Sequence, residues 1–188
     1  MLLAAALGIA TGLFSTLPSP LPDVRLSDPE IIINAEGIPL HAGIVFGAML
    51  AGLLWFWSER DFGKCVLAAG LTLIGWLTAV NTANDVMSGI VASDLLGTTQ
   101  GAKGSREVLG WLVAGLAGGL IGAGFTACGV SIAAPSTRRA SAWALILGLG
   151  TLLGLLLYPA ARFDAGVLLF VPWQAAVAAS IAYGLSRT

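Results

Sequence analysis

Charge is scarce in this sequence. Of 188 residues, nine are Lys or Arg, ten are Asp or Glu and one is histidine, so 10% of the chain is charged, where soluble domains carry about a quarter. So few ionic groups cannot clothe a water-facing surface, which excludes an ordinary soluble globule. A hydrophobic share of 57% excludes a disordered chain. The net charge of −1 provides no basic footprint for nucleic acid. Cysteine is sparse too. Cys65 and Cys128 stand far apart in apolar segments, so neither a disulfide scaffold nor a metal or redox spacing is available. A second histidine, a Gly-x-Ser-x-Gly elbow and a phosphate loop are all missing, which leaves several common chemistries without their groups.

What is present is long apolar sequence with a mean hydropathy of +0.90. A helix that crosses a bilayer needs about 20 mostly apolar residues, because unpaired backbone groups in hydrocarbon cost several kcal/mol each. On that length scale six spans are predicted, at roughly 1–17, 38–57, 65–83, 108–134, 142–159 and 165–184. The first is the shortest. It lacks a basic n-region, and Phe14-Ser15-Thr16-Leu17 before Pro18 is a poor cleavage site, so it reads as a span and not as a signal peptide. Pro18, Pro20 and Pro22 end it. The expectation is an all-α, polytopic membrane helix bundle forming one domain over 1–188, in contact with lipid and located in a bacterial inner membrane. Basic residues divide five against four between the two sides, which leans towards both termini in the cytoplasm.

The fourth span is dense in glycine. Gly115 to Gly119 and Gly118 to Gly122 are small-xxx-small spacings, repeated by Gly150 to Gly154 in the fifth. Such seams serve packing within the chain or a homo-oligomer through the Gly-rich helices. Trp55, Trp57, Trp143 and Trp173 fall near predicted span ends, where an interfacial aromatic belt would place them. An offset of about 79 residues pairs Gly43 with Gly122, Gly75 with Gly154 and Asp85 with Asp164, a similarity that Leu/Ala/Gly-rich helices also produce by chance.

Chemistry has two candidate locations. After the third span, Thr78, Asn81, Asp85 and Ser88 share one face if the helix continues, with Asn84 close by. Amides and a carboxylate at membrane depth face a bundle interior or an aqueous cavity, whereas at the interface they are simply solvated. His41 opens the second span in Pro39-Leu40-His41-Ala42-Gly43. An imidazole there is either an interfacial residue or an iron ligand with the opposite coordination position open.

The layout over about residues 1–134 resembles the small four-span membrane isomerases, styrene oxide isomerase and hydroxylaminobenzene mutase. The resemblance lies in a short first span, a polar loop and His41-Ala42-Gly43-Ile44-Val45-Phe46-Gly47-Ala48-Met49. It continues in Gly75-Trp76 with the asparagines that follow, and in the Gly-rich stretch 97–104 leading through Glu107 into the fourth span. The family has an asparagine where this chain has Gly47, and the last two spans, about 140–184, lie outside the likeness. The resemblance implies haem b held by His41, with Asn81, Asn84 or Asp85 orienting a small lipophilic substrate such as an epoxide, which would rearrange inside a dry site. Two other classes are open: a small transporter working through the polar face near Asp85, and a non-catalytic multi-pass subunit packed through its glycine seams.

Overall fold

The computed structural model describes residues 1–18, 40–58, 60–92 and 100–186, without the side chains of 91–92 and 100–103. All regular structure among them is helical. The elements are α1 (Leu2–Phe14), α2 (Leu40–Trp57), α3 (Phe62–Ala92), α4 (Gln100–Ala133), a 3-10 turn (Pro135–Arg138), α5 (Ala140–Gly154), α6 (Leu157–Arg162) and α7 (Val167–Leu185). Five stretches are long and apolar enough to cross a membrane: Leu40–Trp57, Phe62–Ile90, Gly104–Ala133, Ala140–Arg162 and Val167–Leu185. The chain is a multi-pass, all-α membrane bundle.

The first helix has 13 residues, roughly 20 Å of rise against a hydrocarbon core of about 30 Å, and packs along α7. One expectation about the spans needs correction. The third and fourth spans are longer than predicted. α3 runs on past Asp85 and α4 starts before Arg106 and Glu107, so these charged residues are helical and not part of a loop. Nothing in the local chemistry stops a helix there.

Local causes are visible at several ends. Asp61 caps α3: its Oδ1 accepts from the Lys64 backbone N–H at 3.1 Å, satisfying one orphan donor of the first turn. The fifth span breaks at Leu155–Leu156 because Pro159 has no N–H for the Leu155 carbonyl. That carbonyl takes the Tyr158 N–H at 3.3 Å instead. After α6 the chain turns through Asp164 at φ 49°, with the Ala165 N–H reaching back to the Ala160 carbonyl at 2.9 Å. This is a Schellman ending with aspartate at the left-handed position, which Asp tolerates better than most residues.

The helices close into a ring. α1 packs on α2, α2 on α3, α3 on α4, α4 on α5, α5 on α7 and α7 back on α1. Neighbours are antiparallel, as shown by Gly110 against Met87 and Gly129 against Ala68 along α3/α4, and by Gly8 and Gly12 against Ala175 and Val171 along α1/α7. Glycine permits these approaches. A Cβ on Gly115 or Gly154 would collide with the other's carbonyl oxygen, and one on Gly119 would strike the Gly150 carbonyl. The glycine spacings of the fourth and fifth spans thus pack against each other within one chain.

The two ends of the ring differ. Where the chain termini lie, α2, α3, α4, α5 and α7 meet in a dense core that includes Leu50, Leu54, Val130, Ile146, Val177 and Ile181. This end is cross-tied by Ser58 Oγ donating to the Ala133 carbonyl at 2.9 Å and by Trp143 Nε1 donating to Ser131 Oγ at 2.9 Å. The opposite end is hollow.

Candidate functional site: an apolar cavity inside the helix ring

The hollow end holds a cavity of about 450 Å³, within the range of small-molecule sites. Its floor and walls combine small residues that leave space, such as Ala79, Ala83, Gly118 and Gly122, with the rings of Phe46, Trp76, Trp111, Phe170 and Trp173. The rings interlock: Phe46 meets Trp173 edge-on at 5.7 Å, and Trp76 meets Phe170 at 5.3 Å. Gly43 makes room for this cluster, because a Cβ there would lie 2.8 Å from Trp76 Cδ1.

Trp173 was expected at the membrane interface. It stands instead on the cavity wall, with its indole N–H donated to the Gly150 carbonyl at 2.9 Å. The bond crosses from α7 to α5 and accounts for an indole in the middle of the bundle. Trp55 and Trp57, by contrast, are exposed at the end of α2.

The polar groups on the wall are few. Thr72 Oγ1 donates to the Ala68 carbonyl at 2.9 Å, and Thr126 Oγ1 to the Gly122 carbonyl at 2.9 Å. Asn84 lines the cavity and Asp164 stands, exposed, at its mouth. Gln174 is 1% exposed; its Nε2 donates to Ser15 Oγ at 2.9 Å, while its Oε1 has no partner among the described residues. No Lys, Arg or His belongs to the described wall.

The third-helix candidates are separated by the turn of α3. Residues 72, 76, 79, 80, 83 and 84 face the cavity, a stripe at helical spacing. Asn84 is therefore on the wall. Asn81 is not: its Nδ2 donates to the Leu77 carbonyl of its own helix at 2.8 Å. Asp85 is exposed, and Thr78 back-bonds to the Ile74 carbonyl.

His41 is buried at 9% exposure, and neither Nδ1 nor Nε2 has a hydrogen-bond partner among the described residues. Its bare nitrogens are chemically apt for iron, but the cavity wall begins one turn on, at Gly43 and Phe46, and does not include the imidazole. The imidazole is thus not among the described residues that line the cavity. The described residues contain no group of three or more His, Cys, Asp or Glu placed to hold a metal ion. Gly47, where the resembling family has asparagine, sits against α3 with its Cβ position 2.9 Å from the Ala69 carbonyl oxygen. An amide side chain has no room there.

Sequence reasoning missed Gln174, Asp164, Trp111 and Phe170. Three of these come from the last hairpin, two from its second span and Asp164 from the connection, outside the resemblance. One signal was readable: Gln174 is an isolated amide in the otherwise apolar interior of a span, and polar side chains at that depth are costly unless they serve something. No protein-family model, no curated protein and no solved structure matches this chain.

Proposed function

We propose that this chain is an integral membrane protein that captures a small lipophilic molecule inside its helix ring and holds it, away from bulk water, for an isomerase-like rearrangement. The cavity is the observation that carries the reading. It is enclosed by five helices and α6, walled by aromatic rings and small residues, and closed at one end by the packed core. Such a wall desolvates an apolar molecule and fixes its orientation through a few polar atoms. Exclusion of water would keep a reactive intermediate from being hydrolysed. Asn84 and Gln174 are the groups positioned to orient the molecule. Asn81 and Asp85 have no part in this reading.

The test is a titration of protein purified into nanodiscs with 2-methoxynaphthalene, read by quenching of the tryptophans on the wall. Saturable quenching that disappears in Ala83→Phe, with folding intact, supports capture. A non-saturating response identical in the variant would indicate mere partitioning into lipid and would sink the proposal. Incubation with styrene oxide then tests the reaction: an aldehyde product above the protein-free rate supports rearrangement, and diol alone opposes it.

A second reading is favoured by the two partnerless nitrogens of His41, namely haem b held by this residue as the family resemblance implies. Purified protein would then carry a Soret band that is lost in His41→Ala. Colourless, iron-free protein would remove it.

A further inference from the structure

The hydrogen bonds around Gln174 fix which of its atoms is left for a ligand. Thr11 Oγ1 donates to the Gly8 carbonyl at 3.1 Å, and Ser15 Oγ donates to the Thr11 carbonyl at 2.8 Å. A hydroxyl has one proton, so Ser15, having spent it, can only accept from Gln174. The amide is thereby oriented with Nε2 towards Ser15 and Oε1 bare. Thr72 and Thr126 have likewise committed their protons to backbone carbonyls and have only lone pairs to offer. At the mouth, Asp164 adds a carboxylate. Five aromatic residues and no cationic side chain complete the described wall.

We propose that the occupant of this cavity is a small lipophilic amine in its protonated form. Resting on the capture reading above, this assigns its ligand class. The ammonium N–H supplies the donor that Gln174 Oε1 lacks, a buried acceptor being costly to leave unpaired. The charge is favoured by the ring faces and by the field of Asp164. The hydrocarbon body fills the space between Trp76, Trp111 and Trp173. An acceptor-only molecule such as an epoxide can pair with the Asn84 amide N–H but leaves Gln174 Oε1 unpaired, and a carboxylate, which only Asn84 can serve as a donor, also meets Oε1 and the Asp164 carboxylate.

The experiment compares three probes of one size on protein in nanodiscs: 2-naphthylmethylammonium, 2-(methoxymethyl)naphthalene and 2-naphthylacetate. The amine is expected to bind roughly tenfold tighter than the ether or better, with the carboxylate weakest. Gln174→Met, which keeps volume and removes the acceptor, should bring amine and ether to within about twofold, and Gln174→Glu should widen the preference. If Gln174→Met does not fold, Gln174→Glu carries the test alone. Asp164→Asn, which tolerates the same left-handed backbone, should weaken the amine by a smaller factor that fades with salt. Equal saturable binding of amine and ether overturns the inference and leaves the capture reading standing. Amine preference unmoved by either Gln174 variant also overturns it. No saturable binding of any probe overturns both.

Discussion

A buried imidazole whose two nitrogens both go unpaired is a net cost to the fold. His41 has lost its water without gaining a partner among the described residues, and such a group destabilises by about 1–3 kcal/mol. Replacement by an apolar residue of similar reach should recover part of that. His41→Leu is expected to raise stability by about 1–2 kcal/mol in denaturant titration of the detergent-solubilised protein, and a loss of stability would show that the ring contributes a contact of its own. Asp61 is the opposite case, a polar residue that is fully used. The backbone N–H of Lys64 holds its carboxyl below the usual range, with the nearby Lys64 ammonium, 3.6 Å away, adding to this. A carboxyl lowered by folding stabilises at pH values above its unfolded pKa of about 3.9, and that contribution is lost as pH falls through the folded value. Asp61→Ala should therefore melt below the unsubstituted protein at pH 7, and the gap should narrow as pH falls below about 3.9.

The contrast between helices depends on where each glycine points. Gly115, Gly119, Gly150 and Gly154 form the seam on which α4 meets α5 backbone to backbone. Gly115→Ala or Gly154→Ala must push those helices apart and should cost about 1–3 kcal/mol. Gly52 and Gly70 face open space, so alanine there should be neutral or stabilising by up to about 1 kcal/mol through helix propensity. A denaturation series in which all four variants behave alike would contradict this division. The same seam shows what sequence can reveal. Spacing identified the close approach, because only small residues at every fourth position allow it, but it carried no information on which helix would be met. Apolar run length located five spans well, because the bilayer imposes length. It failed at Asp85, Arg106 and Glu107, where charged residues end an apolar layer without ending a helix. For the site, Asn84 was readable as one of three candidates, and only the phase of α3 separates it from Asn81 and Asp85. Gln174 was missed because its meaning lies in a bond to Ser15, 159 residues away.

At the scale of the whole molecule, alternation around the ring puts both termini at the packed end and the cavity mouth at the other. Among the described side chains, the packed end carries Arg60, Lys64, Arg138 and Arg139 against one acid, Asp61, and the cavity end carries Arg106 and Arg162 against Asp85, Glu107 and Asp164. Lys and Arg near span ends are retained in the cytoplasm, so the mouth is expected to face outward. In a background with Cys65 and Cys128 replaced, Asp164→Cys should react with a membrane-impermeant maleimide on intact cells. Ser136→Cys should react only after permeabilisation, and the reverse pattern would invert the orientation. The closure of the ring by α1 against α7 also bears on how the protein is made. α1 meets its main partner, α7, only after the five helices between them in the chain have been made. The Ser15–Gln174 link that orients the binding amide is then among the last contacts to form, so an unfinished chain has spans in the membrane but no organised site.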